Sequence, residues 1–328
     1  MNKKLEEVRW GIIGCGDVTE VKSGPALSLV PHSRLVAVMR RNAEKARDYA
    51  HRHRVPKWYA DAEELINDPE VNAIYIATPP SSHEEYALRA LKAGKPVYLE
   101  KPMSLNAASA RRIASAAKNS GLPLTVAHYR RQQPYFLKIK SLLGESSIGK
   151  PRLAELWCLQ PHLSQQVVWT EDNWRLNPSV SGGGLFHDLA PHQLDLMIYF
   201  FGRAQKYSGL SFNSGGYYEA DDTTSGAIIF DNHVLFRGVW CFSMNEKKEE
   251  CLITGTEGSI TFSIFGEQQI RICKNGKEEQ LTFTAPKHVQ QPMIEKLVQY
   301  FRGESENPCS AEEGVQVMEL IDGMSRQS

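Results

Sequence analysis

Through residues 8–126, short apolar runs bounded by Gly, Pro or charges alternate with longer helical patterns. VRWGII (8–13), RLVAVM (34–39), AIYIAT (73–78), PVYLE (96–100) and LPLTVA (122–127) have the length and content of buried strands. Between them NAEKARDYAHRH, SSHEEYALRALKAG and LNAASARRIASAAKNSG are rich in Ala, Glu, Lys and Arg, with Gly94 and Gly121 standing where such helices stop. Strand and helix in repeated alternation predict a doubly wound parallel sheet.

The rhythm changes after residue 128. An amphipathic segment, PYFLKIKSLLG (134–144), leads into KPRLAELWCLQ, then a glycine-rich stretch with a long apolar continuation, GGGLFHDLAPHQLDLM. Strand candidates follow from about residue 206 to 283, and their DNH, TEG and KNGK connections look like hairpin turns. QPMIEKLVQYFRG and AEEGVQVMELIDGM close the chain as helices. The expected architecture is therefore a parallel α/β domain at 1–127, followed by an α+β domain at 128–328 with a large, mainly antiparallel sheet. No internal repeat or low-complexity tract interrupts it.

Composition narrows the function. At 328 residues the chain is long enough for two domains sharing a cleft, and 41% hydrophobic with 23% charged residues is ordinary globular usage. The 38 basic and 38 acidic residues cancel, so no global field draws the protein to nucleic acid or anionic lipid. No apolar run approaches the roughly 18 residues of a membrane span. MNKKLEEVRWGII lacks the apolar core and cleavage site of a secretory leader, and the six cysteines have neither C-x-x-C pairs nor disulfide-framework spacing. A cytoplasmic protein with reduced thiols is expected.

The first strand runs into GIIGCGDVTEV, a strand, a glycine turn and a helix start. Gly14 and Gly16 would let backbone amides approach a pyrophosphate, with Asp17 and Val18 opening the helix behind it, although Thr19 replaces the third glycine of the usual fingerprint. A dinucleotide site that prefers NAD normally has an acidic residue ending the second strand; here VAVMRRNAEK offers Arg40 and Arg41, guanidinium groups suited to a 2'-phosphate. The expectation is NADP, with NAD as the alternative and a solvated strand end as the plainer reading of the arginines. VYLEKPMS then places Lys101 at the end of a strand, where ligands of doubly wound sheets bind, so its ammonium could stabilise charge on a substrate oxygen. Pro102 makes a cis bond plausible there.

These stretches, with ATPPSSHEEYALRALKAGKPVYLEKPMS, YRRQQPYF and NWRLNPSVSGGGLFHDLAPHQLDLM, resemble the glucose-fructose oxidoreductase and inositol dehydrogenase (Gfo/Idh/MocA) family along nearly the whole chain. The resemblance implies a Rossmann domain and an α+β domain whose open sheet often mediates homodimers or homotetramers. It implies NAD(P)-dependent oxidation of a sugar, polyol or cyclitol hydroxyl, or the reverse reduction, without metal. Lys101 matches the family's active-site lysine, Asp188 and His192 its D-x-x-x-H pair, and Glu100 the acidic residue before the lysine. Thr78, Pro79 and Pro80 match the loop beside the nicotinamide ribose, with His83 just beyond, and Trp174 and Arg175 match a W-R pair near the cleft. Thr19 and the Met39-Arg40-Arg41 strand end depart from the pattern and favour NADP over NAD.

If 185–200 is helical, Asp188, His192 and Asp195 share a face, while His187 lies about 100° away. Asp188 can then accept from one substrate hydroxyl while His192 exchanges the proton of another, a task suited to a group with an ordinary pKa near 6.5. Asp195 is assigned to orienting His192 or a helix neighbour, and His187 to lining the cleft or packing. A metal would need three or four convergent ligands, of which Asp188, His192 and Asp195 could supply three, but a nearby lysine would compete with it. A solvated helix face fits poorly with the apolar continuation. Further substrate candidates are Arg130 and Arg131, His128, Tyr129 and Trp169, while His288 is a candidate for the cleft. The rival activities are glycoside cleavage by transient oxidation with a tightly held NAD, and a non-catalytic regulator on the same fold.

Overall fold

The structure, a computed structural model, describes residues 4–164, 167 and 173–325. The chain forms β1 (Val8–Ile13), α1 (Asp17–Val21), α2 (Ala26–Leu29), β2 (Ser33–Met39), α3 (Ala43–His53), β3 (Lys57–Tyr59), α4 (Ala62–Asn67), β4 (Ala73–Ile76), α5 (His83–Lys92), β5 (Val97–Leu99), α6 (Ala107–Ser120) and β6 (Leu124–Val126). It continues with α7 (Pro134–Gly144), β7 (Pro151–Leu159), α8 (Pro178–Ser181), α9 (Gly184–Phe201), β8 (Ala204–Phe212), β9 (Thr223–Phe230), β10 (Leu235–Cys241), β11 (Lys248–Gly255), β12 (Gly258–Phe262), β13 (Gln269–Lys274), β14 (Lys277–Thr282), α10 (Gln291–Phe301) and α11 (Ala311–Ser325). Two compact units emerge: residues up to Gln133 together with Pro286–Val315, and Pro134–Ala285 together with residues from Gln316 onward.

The first unit holds a six-stranded sheet in the order β3-β2-β1-β4-β5-β6, every pair parallel. β1, β4, β5 and β6 are almost wholly buried, as continuous apolar runs covered on both faces must be. The strand order reverses between β1 and β4, so the ends of β1, β2, β4 and β5 define the ligand crevice of such a sheet. β3 has no counterpart among the strands read from sequence, because a half-exposed three-residue edge strand is too short to show a period. Gly121 does stop α6, in the left-handed conformation at φ +66°.

α10 differs from its sequence-level assignment to the second half. Met293, Ile294, Leu297, Val298 and Phe301 are buried, and the Phe301 ring lies 5.7 Å from Trp10 of β1. Residues after it cover the sheet edge: Asn307 accepts from Thr125 Oγ1 at 2.7 Å and donates to the Leu124 carbonyl at 2.8 Å.

The second unit is built on an eight-stranded sheet, β14-β13-β12-β11-β7-β10-β9-β8, antiparallel except where β10 meets β7. The DNH, TEG and KNGK hairpins form as expected; Asn275 and Gly276 both take positive φ, which a two-residue turn of this hand requires. α9 packs on one face, its Phe186 ring 5.1 Å from Trp240 and Phe201 5.5 Å from Phe230. On the other face Trp157, Leu210, Phe212, Ile229 and Leu235 are exposed, Leu210 by 73%.

Within the first unit Glu20 of α1 accepts from Arg52 at 2.7 and 2.9 Å and faces His53 Nε2 at 2.7 Å, tying α1 to the end of α3. The Arg52 guanidinium, helped by His53 and opposed by partial burial, holds the Glu20 carboxyl down at about 2 from an ordinary 4.5. A pKa lowered in the folded state stabilises above pH 4.5, and that contribution is lost as pH falls toward 2. Urea unfolding of Glu20→Gln beside wild type should show the variant weaker at pH 7, with the gap closing as pH drops below 4.5. A gap independent of pH would show that the ion pair is not its source.

Candidate active site

At the end of β1 the amides of Gly14 and Cys15 donate to the Met39 carbonyl at 2.9 and 3.1 Å, docking the glycine turn on the end of β2. Gly14 sits at φ +92°, and a Cβ there would come 2.6 Å from Thr78 Cγ2. Gly16 is different: a Cβ would meet nothing nearer than the Gly14 carbonyl oxygen at 3.9 Å, so backbone faces open space on this side. Thr19 explains its own departure from the glycine pattern. Its buried hydroxyl accepts from Gly16 N at 3.0 Å and donates to Gly16 O at 2.8 Å, closing the turn as a capping residue. α1 is only five residues long, so it offers an anion its first-turn amides rather than a long dipole. Arg40 Nη1 donates to the Cys15 carbonyl at 3.3 Å, which brings a guanidinium beside the turn; Arg41 is exposed next to it. The turn, the open side at Gly16 and these cations fit a dinucleotide phosphate chain.

The ends of β4 and β5 are held by buried polar groups. His83 is fully buried, its Nε2 2.7 Å from the Thr78 carbonyl and its Nδ1 3.0 Å from that of Pro102, so it stands behind the two loops and links them. Burial pushes its imidazole below the ordinary value despite those carbonyls. Thr78 Oγ1 accepts from Ser82 at 2.8 Å, Thr78 and Pro79 are half-buried, and Pro80 is buried. Glu100 is buried as well. Its Oε1 accepts from the Tyr75 hydroxyl at 2.6 Å and from Gln290 Nε2 at 2.7 Å, and its Oε2 accepts from the Lys101 amide at 3.1 Å. Gln290 Oε1 in turn accepts from Tyr98 at 2.9 Å. Burial, and then the Glu100 charge, keep the Tyr75 and Tyr98 phenols protonated far above their ordinary range, so they remain donors.

Lys101 follows, half-buried, with a cis bond to Pro102. His128 is buried and its imidazole is pushed well down, first by burial, then by the positive charges of Arg131 and Lys101. Arg131 is itself buried and paired with Glu313, while the Arg130 guanidinium lies 5.5 Å from the Tyr129 ring centroid. His288, a candidate for the cleft, has its Nδ1 2.8 Å from the Val21 carbonyl. Gln290, two residues on, is the group sequence reasoning missed; a glutamine ahead of a helix carries no signal of its own.

In the second unit α9 spans the glycine-rich stretch, buried on nearly every side. That excludes the solvated-face reading. A Cβ on Gly183 would lie 2.2 Å from the His187 ring, whose Nδ1 sits 3.1 Å from the Gly183 carbonyl. Gly183 thus accommodates His187 packing on its own helix start. Asp188 Oδ2 lies 3.3 Å from Arg175 Nε, and the Arg175 guanidinium lies 4.3 Å from the Trp174 ring centroid. Two residues picked separately for substrate are therefore partners. His192 meets the Phe265 ring nearly edge-on at 5.7 Å, and Asp195 is buried on the same helix. Trp169 lies outside the described residues. Among the described residues no group of three His, Cys, Asp or Glu side chains is arranged to hold a metal.

A parallel sheet in this order, with a glycine turn after β1, defines a doubly wound fold of the dinucleotide-binding type. Residues 8–128 match the oxidoreductase family with an NAD-binding Rossmann fold, and residues 136–261 match the Gfo/Idh/MocA C-terminal domain. The chain belongs to the Gfo/Idh/MocA family of NAD(P)-binding oxidoreductases. It is 49% identical over 315 residues to oxidoreductase P35 of Formosa agariphila, covering 96% of this chain and 97% of that one. It is 28% identical to 1,5-anhydro-D-fructose reductase of Ensifer adhaerens, over 77% of this chain and 74% of that one. In three dimensions it resembles a levoglucosan dehydrogenase in complex with NADH, with a TM-score of 0.84, 21% identity, and 97% and 96% of the two chains covered.

The two glycines should separate in mutagenesis. Gly14→Ala, strained and pressed against Thr78, should lower the melting temperature; Gly16→Val should leave it nearly unchanged while abolishing cofactor binding measured by calorimetry. Normal NAD(P) affinity in folded Gly16→Val would show that the phosphates pass elsewhere.

Proposed function

We propose that this oxidoreductase transfers a hydride between NADP, or less favourably NAD, and a hydroxyl or ketone carbon of a sugar, polyol or cyclitol. The observation that carries the reading is Lys101 at the carboxyl end of β5, its amide fixed by buried Glu100 in a sheet whose β1 turn fits a dinucleotide. The relatives named as a reductase of an anhydrosugar and a levoglucosan dehydrogenase support that substrate class, and favour oxidoreduction over glycoside cleavage.

The bound nicotinamide supplies the hydride acceptor or donor. Lys101 hydrogen-bonds the reacting oxygen and stabilises negative charge on it. His192 takes the proton in oxidation and returns it in reduction. Asp188 accepts from a neighbouring hydroxyl, and Arg175 keeps its carboxylate in place from 3.3 Å. Trp174 underlies that guanidinium, and Arg130 adds a cationic contact. The exposed apolar face of the second unit's sheet fits a second copy of the chain, as a homodimer or homotetramer would use it. Six cysteines without a disulfide fit a reducing cytoplasm.

Lys101→Ala and His192→Ala should each cut turnover by about 10²-fold or more in a cofactor-reduction assay across aldoses, ketoses and inositols. Full activity in either variant removes the role given to that residue. Arg40→Asp should reverse the cofactor preference toward NAD in parallel binding titrations; equal NADP affinity before and after would assign the arginine to the solvated strand end.

A further inference from the structure

The hairpins β11-β12 and β13-β14 close through two residues each, Thr256 with Glu257 and Asn275 with Gly276. The β12-β13 connection, residues 263–268, is longer, and a single carboxylate organises it. Glu249 on β11 accepts from Ser263 Oγ, from Ile264 N at 2.9 Å and from Phe265 N at 3.2 Å. Ser263 Oγ accepts from Gly266 N at 2.6 Å. Tyr135 clips both ends, accepting from Ser263 N at 3.2 Å and donating to the Gln269 carbonyl at 3.0 Å. A loop with this many backbone amides committed to fixed acceptors has one conformation rather than many.

The same carboxylate reaches α9. Glu249 Oε1 accepts from Gln193 Nε2 at 3.4 Å, and Gln193 Oε1 accepts from Trp240 Nε1 at 2.6 Å. Gln193 is fully buried and is the residue after His192. Glu249 thus fastens both the helix that carries His192 and the loop that carries Phe265, and the two rings meet at 5.7 Å and 78°. Edge-to-face contact favours one orientation of the imidazole plane and presents a half-exposed apolar ring beside the group proposed to move the proton.

We propose that Phe265 is the specificity wall of the His192 site and that Glu249 is its positioning residue, together selecting ring-shaped polyols over open-chain ones. The inference rests on the proton-transfer reading of His192. A pyranose or cyclitol lays a rigid face of C–H groups on an aromatic ring, burying apolar surface without first freezing its own chain. An open-chain polyol covers less of the ring and loses more freedom in doing so.

The test combines a signal that needs no substrate with kinetics. In protein labelled with 15N-histidine, the His192 resonance is the one lost in His192→Ala; Phe265→Ala and Phe265→Leu should shift it by removing the aromatic ring. Glu249→Gln, which keeps the shape but weakens the acceptor, should shift it in the same direction. With NADP, Phe265→Ala should raise KM for myo-inositol and D-glucose about tenfold relative to D-sorbitol, with kcat less affected, and Phe265→Tyr should restore most of the difference. An unmoved His192 resonance, or equal losses on cyclic and open-chain substrates, overturns the wall. Should His192→Ala keep full turnover while Phe265→Leu still shifts the resonance, the clamp stands and the proton-transfer reading alone falls.

Discussion

The first unit depends on one buried carboxylate. Glu100 takes hydrogen bonds from Tyr75 in β4, from the amide of Lys101 just past β5, and from Gln290 ahead of α10. A carboxylate out of water without such donors would cost several kcal/mol, so all three parts of the chain are held to it. This is why a segment far along the sequence returns to the parallel sheet, with α10 following it onto Trp10. It also gives the lysine a fixed backbone from which its ammonium can act.

The second unit answers a similar demand on α9. A helix buried on almost every side yet carrying His187, Asp188, His192, Gln193 and Asp195 must find partners for its polar groups. His187 turns back to its own helix start, Asp188 meets Arg175, and Gln193 bridges Trp240 and Glu249. The polar residues divide accordingly: some secure the helix, and His192 meets an aromatic ring. Candidate chemistry and structural anchoring are interleaved residue by residue along one helix.

Much of this was legible in the chain. The parallel sheet followed from apolar runs alternating with amphipathic helices, and the hairpins of the second unit from their turn residues. The D-x-x-x-H spacing placed Asp188 and His192 on one helix. Less legible were short elements: β3 has three residues, and α1 ends after five. Residues whose roles depend on a distant partner were invisible. Gln290, Glu249 and Phe265 are ordinary residues in ordinary surroundings until Glu100, Gln193 and His192 come beside them.

The sequence by itself determined which segments are strands and helices, where the glycine turn after β1 lies, and which residue types stand at the strand ends. Periodicity and backbone preference act over a few neighbours, so they are written locally. Only the tertiary structure decided that α10 joins the first unit, that Arg175 belongs to Asp188, and that Glu249 holds both the His192 helix and the Phe265 loop. Those pairings arise from satisfying buried polar groups across large sequence separations, and no local pattern encodes which donor will meet which acceptor.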